Sequence, residues 1–373
     1  MKVSEPSTIP VNDPVSLRTD TIQPAPPAGE LSGRHSNLSE SKRDLLEKRL
    51  RGQPPPAPAE RTIAPRSENA PAPLSSAQQR MWFFSELQPG SAVYNIPFAL
   101  RLKGELNLPA LRAALDAMVV RHEILRTRFV AEGGSPVQVV AEAGPVALTR
   151  IEVSGEPGPP REANLQRSLV AESRRPFDLG RDLIVRATLF QLGETEHVLL
   201  LVIHHIASDL WAWNVFLREF SALYAGFAAG QPAALPALAI QYADYAAWER
   251  SWLGRPAIEK QLAYWKQNLA GAPALLDLPT DRPRPAAISF HGAIVRHALP
   301  ATVVDGLKQL SRREDATLFM TLLAAFKVLI FRLTQQPDVV VGVPTAGRNH
   351  PQTAGLIGLF VNTLAVRNAL SAD

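Results

Sequence analysis

The chain has 373 residues, of which 46% are hydrophobic, 20% are charged and none is cysteine. This balance is typical of a globular protein and argues against a fibrous, disordered or membrane-spanning chain. The 39 basic and 35 acidic residues leave a formal net charge of +4, an excess too small and dispersed to indicate nucleic-acid binding. Without cysteine, disulfides, thiolate metal sites and cysteine nucleophiles are excluded. We predict a cytoplasmic protein, because the first residues lack the apolar stretch of a signal peptide.

Residues 1–73 are predicted to form a disordered leader. They contain 13 of the chain's 33 prolines and no aromatic residue. Such a segment cannot bury enough apolar surface to offset the entropy of ordering it. One short amphipathic helix is predicted inside the leader at residues 39–51, where leucines recur at helical spacing between a serine and Gly52.

From residue 74 onward, strand-like and helix-like patterns alternate, which predicts a mixed α/β architecture with two lobes. The N-terminal lobe is predicted to span residues 74–235, with strands at 93–106, 126–130, 137–140, 184–192 and 198–205 and helices at 108–125, 163–174 and 211–224. Residues 236–373 are predicted to hold linker helices and a C-terminal lobe, with helix at 242–265, 301–313 and 317–333 and strands at 294–299, 339–343 and 359–366.

The best candidates for chemistry are His204 and His205, followed by Asp209, where an apolar strand runs into a helix. Successive side chains of a strand point to opposite faces, so the two histidines cannot both face one pocket. An imidazole can take or share a proton near neutral pH, whereas a carboxylate only accepts hydrogen bonds and needs donors beside it. Such a pair is more often a packing feature than a catalytic one, and the residues by themselves leave both interpretations open.

Sequence patterns of other kinds of active site are missing. The remaining six histidines have no metal-ligand spacing. There is no Gly-x-Ser-x-Gly elbow, phosphate loop or dinucleotide-binding glycine pattern. We therefore predict that the protein binds no metal and no cofactor of its own.

Residues 204–209, His-His-Ile-Ala-Ser-Asp, resemble the His-His-x-x-x-Asp-Gly motif of the condensation-domain superfamily, which includes enzymes of the chloramphenicol acetyltransferase kind. Other motifs of this family stand in the expected order at residues 74–82, 121–129, 242–248, 264–265, 278–285, 342–348 and 357–364. A co-linear set is hard to obtain by chance. From residue 74 to its end, the chain therefore resembles a condensation domain of nonribosomal peptide synthetases.

The resemblance implies two chloramphenicol-acetyltransferase-like lobes in a V-shaped pseudo-dimer with a tunnel between them. It implies an acyltransferase that forms an amide bond between a donor acyl or peptidyl thioester and the amine of an aminoacyl thioester. Both substrates would arrive on the phosphopantetheine of partner carrier proteins of adjacent synthetase modules, without nucleic acid or membrane. Because the family continues beyond the last motif, the second lobe is expected to be incomplete and the sequence to be truncated at its C-terminal end.

The resemblance also assigns roles at the histidine motif. His205 is implied to be catalytic, deprotonating or orienting the acceptor amine, and His204 is implied to be structural. Asp209 is implied to be architectural and paired with an arginine. Arg348 is the first candidate for that partner and Arg121 the second.

Two further residues are expected near the tunnel. Leu210 stands where the family has glycine, and its added bulk is expected to narrow one tunnel arm. Asn362 is expected either to line the tunnel from the second lobe or only to pair with backbone groups.

Two other functions stay open at this stage. One is an inactive truncated relict that binds carrier proteins, which the expected truncation favours. The other is an ester-forming acyltransferase that uses acyl-CoA, which the shared histidine motif alone favours. Dependence on a phosphopantetheinylated carrier separates the amide-forming enzyme from the ester-forming one, and turnover separates both from the relict.

Overall fold

The computed structural model describes residues 2–3, 62–67, 70–231, 233–252, 256–286, 290 and 292–371. The short helix predicted at 39–51 lies outside these residues. The strands are β1 Lys2–Val3, β2 Ala72–Pro73, β3 Asn95–Lys103, β4 Thr127–Glu132, β5 Ser135–Val140, β6 Leu148–Glu152, β7 Val185–Gln191, β8 Glu196–His204, β9 Asp338–Thr345 and β10 Asn362–Ala369. The α-helices are α1 Ser76–Leu87, α2 Leu108–Arg121, α3 Pro159–Ser173, α4 Leu210–Ala228, α5 Tyr242–Trp252, α6 Pro256–Leu269, α7 Ala301–Arg313 and α8 Leu318–Thr334.

The main sheet of the first lobe has the strand order β1-β3-β8-β7-β6. Neighbouring strands are antiparallel, except that β6 and β7 run parallel. In β8, residues 198–203 are each at most 3% exposed; a strand covered on both faces has such an unbroken apolar run. Helices α2 and α4 pack against each other and join the same core. The end of β8 places His204 opposite Asn95.

Most elements lie where the sequence predicts them, and the exceptions have physical reasons. The strand predicted at 294–299 is wrong: residues 292–300 are irregular and Val295 is 94% exposed. An apolar run forms a strand only where a neighbouring strand pairs with its backbone. The helix predicted at 108–125 ends at Arg121, and Glu123–Arg126 form a 3-10 turn. Helix α1 and strand β6 were not predicted.

The end of the predicted leader also differs from the prediction. Ile63 is 1% exposed and Ala72 is 4% exposed. The two residues of β2 pair with Val137 and Gln138 of β5 in a second sheet of order β2-β5-β4. The prediction of disorder through residue 73 is therefore wrong for residues 62–67 and 70–73. It rested on the high proline content of the whole segment, in which these few apolar residues do not stand out.

In the second lobe, β9 and β10 form an antiparallel pair in which Asn362 lies opposite Thr345. Helix α8 packs on β9 and on α7. Several large apolar side chains of α8 are more than 45% exposed: Phe319, Met320, Phe326, Val328, Leu329 and Leu333. The described residues therefore leave much of the apolar surface of α8 uncovered.

Among the described residues, no single helix is both long and apolar enough to cross a membrane. Helices α7 and α8 meet that test only as a pair, with a bend of 107° between them.

Candidate active site

The histidine motif lies at a change of backbone structure. Strand β8 ends at His204, a 3-10 turn covers His205–Ala207, and α4 begins directly after Asp209. The Asp209 side chain is the N-cap of α4 and accepts a hydrogen bond from the Ala212 N–H, at 2.8 Å. An N-cap carboxylate satisfies amide groups that the first helical turn leaves without partners. The local sequence thus sets where the strand stops and how the loop is held.

His204 is buried and structural in its contacts. Its Nδ1 accepts a hydrogen bond from the Ile206 N–H at 3.1 Å, and its ring lies 6.1 Å from the ring of Phe177. Burial, together with the positive potential of His205 and Arg186, lowers the pKa of His204 to about 3. The neutral ring carries its proton on Nε2, and its basic nitrogen Nδ1 is already occupied by the Ile206 amide. His204 therefore has no free nitrogen to take up a proton from a substrate near neutral pH.

His205 is half-buried and differently bonded. Its Nδ1 lies 2.6 Å from the carbonyl oxygen of Ser208. A carbonyl can only accept, so Nδ1 carries a proton, and Nε2 is the acceptor whenever the ring is neutral. The backbone N–H of His205 donates to the carbonyl of Tyr94 at 2.8 Å, and the two rings lie 6.3 Å apart. This geometry suits a group that accepts a proton or a hydrogen bond at Nε2.

Asp209 joins the two lobes. Besides the Ala212 amide, its carboxylate accepts the Phe360 N–H at 2.9 Å and the Arg348 guanidinium at 3.2 Å. The side chains of both ionic partners are 3% exposed. Three donors hold this one carboxylate in place, because a buried charge is tolerated only when it is paired and hydrogen-bonded.

Arg348, the first candidate partner, forms the ion pair with Asp209. Its Nη1 donates to the carbonyls of Thr353 at 2.5 Å and Leu356 at 2.8 Å. The guanidinium lies 4.0 Å from the centroid of the Phe360 ring, close enough for a cation–π contact. Burial lowers the pKa of Arg348, while Asp209 acts in the opposite direction. The arginine therefore ties the loop at 348–360 to the first lobe.

Glycines permit the close packing around the loop that carries Arg348. Gly347 has φ +65°, and a Cβ there would lie 1.9 Å from the carbonyl oxygen of Phe360. A Cβ at Gly358 would lie 1.9 Å from the ring of Tyr242. The Tyr242 hydroxyl donates to the Leu359 carbonyl at 2.6 Å. Larger side chains at either glycine would push the loop away from Asp209.

Arg121, the second candidate, is not the partner of Asp209. It donates to Glu219 of α4 at 2.9 Å, and His122 lies 2.7 Å from the same carboxylate. Burial lowers the pKa of His122. Burial alone would raise the pKa of Glu219, but hydrogen bonds from His122 and Arg121 lower it. Arg121 therefore supports the packing of α2 on α4, the helix that follows the histidine loop.

The other two expected residues, Leu210 and Asn362, are exposed. Leu210, the first residue of α4, is 43% exposed. Trp211 is 45% exposed and donates from Nε1 to the carbonyl of Ala354 in the second lobe, at 3.0 Å. Asn362 is exposed at the start of β10 and accepts the Thr363 N–H at 3.0 Å. The motif predicts neither the Trp211 contact nor the role of Tyr94, because both depend on backbone carbonyls of distant segments.

Comparison with known proteins identifies the family. The sequence model of the Condensation domain family matches residues 68–373. The chain belongs to the condensation-domain family. This match confirms the resemblance inferred from the motifs. Amide bond formation is the function of that family.

Curated relatives of this condensation domain are much longer proteins. One of the linear gramicidin synthase subunits of Brevibacillus parabrevis is 46% identical over 309 residues, 83% of this chain and 4% of that protein. Phosphinothricin tripeptide synthetase PhsC from Streptomyces viridochromogenes is 40% identical over 338 residues, 91% of this chain and 31% of that protein. The chain thus spans a minor part of the length of these relatives.

Solved structures confirm the mixed α/β fold with chloramphenicol-acetyltransferase-like architecture. The X-domain from teicoplanin biosynthesis matches with a TM-score of 0.76 and 33% identity, over 85% of this chain and 69% of that chain. The first condensation domain of the calcium-dependent antibiotic synthetase, in complex with a substrate analogue, matches with a TM-score of 0.66 and 26% identity, over 81% of this chain and 69% of that chain.

Proposed function

We propose that this condensation domain joins a donor acyl or peptidyl thioester to the amine of an aminoacyl thioester, each held on the phosphopantetheine of a carrier protein. The observation that carries the proposal is the His205 ring, whose Nδ1–H bonds to the Ser208 carbonyl and whose Nε2 is left as an acceptor. The relative named as a tripeptide synthetase favours an amine over a hydroxyl as the acceptor.

In the proposed reaction, the amine nitrogen attacks the carbonyl carbon of the donor thioester and a C–N bond forms. The amine proton passes to Nε2 of His205 as the tetrahedral intermediate forms. Collapse of the intermediate breaks the C–S bond, and the leaving thiolate takes the proton back from the ring. The hydrogen bond to the Ser208 carbonyl keeps the ring oriented and stabilises its charged form.

Positioning contributes a large part of the expected rate. A free α-amine has a reference pKa of about 7.7 to 8.0, so an appreciable share is already neutral near pH 7.5. Holding amine and thioester together lowers the barrier without a strong base. We expect the His205→Ala variant to be slower by a factor of about 10² to 10⁴ and not wholly inactive.

Several finer assignments belong to the same proposal. His204, Asp209 and Arg348 act as supporting residues, and Leu210 and Asn362 line the route of the substrates. The protein needs no cofactor of its own, because its substrates bring the phosphopantetheine thioester. Its partners are carrier proteins and neighbouring synthetase modules, and a cytoplasmic location stays a prediction.

The test is a carrier-loading assay. The protein is mixed with an acyl-loaded carrier and an aminoacyl-loaded carrier, and amide formation is followed by intact mass. His205→Ala is compared with His297→Ala, which alters an exposed histidine in the irregular segment 292–300. Parallel reactions contain acyl-CoA as donor or a hydroxyl acceptor.

Amide product that falls in His205→Ala and not in His297→Ala supports the proposal. Product only from acyl-CoA with a hydroxyl acceptor contradicts it and favours the ester-forming alternative. Wild-type protein that gives no product in any reaction contradicts catalysis and favours a carrier-binding relict.

A further inference from the structure

Residues 62–67, here called the strap, bind the loop that carries Arg348. The backbone N–H of Ile63 donates to Oε1 of Gln352, and Nε2 of Gln352 donates to the carbonyl of Ile63, both at 3.0 Å. The Ile63 side chain is 1% exposed. A side-chain amide that satisfies both backbone groups of one residue, beside a buried apolar anchor, specifies one register for this contact.

The other end of the strap is held by the first lobe and by α5. The backbone N–H of Arg66 donates to Asp244 at 3.0 Å, and its guanidinium reaches Asp244 at 3.3 Å and Glu123 at 2.5 Å. The side chain of Asp244 is 4% exposed and that of Arg66 is 16% exposed. Ion pairs this shielded hold their geometry far better than surface pairs. The strap therefore has fixed anchors on both sides.

From Gln352 a short series of contacts leads to the catalytic loop. Gln352 precedes Thr353, whose carbonyl accepts Nη1 of Arg348 at 2.5 Å. Arg348 in turn bonds to Asp209 at 3.2 Å. Asp209 closes the loop that contains His205 and caps α4. Apart from the peptide bond between Gln352 and Thr353, each link is a hydrogen bond or ion pair between groups that are at least partly buried.

We propose that the strap is a positioning element of the active site: through Gln352 and Arg66 it holds the 348–360 loop, and with it Asp209 and the His205 loop, in the arrangement required for catalysis. The catalytic part of this inference rests on the proposed function. If the strap merely covers apolar surface, breaking its hydrogen bonds would change overall stability and leave the Asp209 contacts as they are.

The experiment uses the full chain with the variant Gln352→Met, which keeps the length of the side chain and removes both bonds to Ile63. Arg66→Met removes the guanidinium bonds of the opposite anchor to Asp244 and Glu123 and leaves the backbone hydrogen bond to Asp244. Gln267→Met, at an exposed glutamine of α6, is the matched control. Hydrogen exchange by mass spectrometry follows the peptide containing Phe360, whose N–H bonds to Asp209, and the core peptide at 198–203.

We expect the Phe360 peptide to exchange about tenfold faster in Gln352→Met and Arg66→Met, with the core peptide unchanged and the control equal to wild type. Unchanged exchange at Phe360, or equal acceleration of both peptides, overturns the inference. This readout needs no turnover, so it decides the strap even if wild-type protein makes no amide.

The kinetic consequence is measured separately in the carrier-loading assay. We expect Gln352→Met to lower kcat about tenfold with little change in the KM for either loaded carrier. The reason is that, in this proposal, the strap contacts the 348–360 loop and not the substrates. A variant with faster exchange at Phe360 and unchanged kcat overturns the catalytic part of the inference.

Discussion

Replacing Arg348 by methionine removes the cation beside the buried carboxylate of Asp209 while keeping much of the side-chain volume. In the wild type this carboxylate has three donors: the amides of Ala212 and Phe360 and the guanidinium of Arg348. In the variant, two amides alone must stabilise the charge of a side chain that is 3% exposed. The variant also lacks the contact of the guanidinium with the Phe360 ring and its hydrogen bonds to two backbone carbonyls.

Removing one partner of a buried ion pair costs about 3 to 5 kcal/mol, since the remaining charge stays buried. Because two amides still bond to Asp209, we expect Arg348→Met to lower the free energy of unfolding by about 3 kcal/mol. The double variant Asp209→Asn with Arg348→Met removes both charges. We expect it to be more stable than Arg348→Met alone, since no uncompensated charge remains.

The free energies are measured by urea unfolding with tryptophan fluorescence for wild type, both single variants and the double variant. The cycle gives the coupling between the two side chains, which we expect to exceed about 1 kcal/mol. A cost below about 1 kcal/mol for Arg348→Met, or strictly additive single variants, would refute the view that this ion pair joins the lobes.

Three other substitutions test the remaining contacts of the site. The folded-state pKa of His204, about 3, lies below the value of about 6.5 expected when unfolded; the unfolded state therefore binds the proton first, and stability is lost as pH falls below about 6.5. His204→Asn should reduce this loss by up to about 1.4 kcal/mol per pH unit in urea unfolding between pH 6 and about 4, and an unchanged slope would contradict the assignment. Gly347 and Gly230 both have positive φ, +65° and +69°, but an alanine Cβ would clash with the Phe360 carbonyl only at Gly347. We therefore expect Gly347→Ala to lower the thermal unfolding temperature clearly more than Gly230→Ala. Equal decreases for the two variants would mean that backbone strain alone acts. Leu210→Gly should widen the range of acyl donors accepted in competition assays, and an unchanged preference would argue against a tunnel role for Leu210.

Some features of the site could be predicted from the sequence, because they depend on neighbouring residues. The histidine motif follows a buried strand and precedes a helix, so the strand end, the cap at Asp209 and the different surroundings of His204 and His205 could all be expected. Arg348 as the partner followed from the family pattern. These features depend on residues close together in sequence or on a motif.

Contacts between distant segments could not be predicted in the same way. Arg121 pairs with Glu219 because α2 packs on α4, and nothing in the sequence near Arg121 indicates that helix. The strap has too few apolar residues to stand out in a proline-rich segment, yet Ile63 is buried and its backbone bonds to Gln352. Val295 belongs to an apolar run that has no strand beside it among the described residues.

In the proposed mechanism, His205 accepts the proton of the acceptor amine. The most direct test is the single-turnover rate of amide formation between two loaded carriers, with wild type and His205→Ala both at saturating protein. We predict a rate lower by a factor of about 10² to 10⁴ in the variant, with carrier binding unchanged. Equal rates for the two proteins would contradict the assignment of His205 as the catalytic residue.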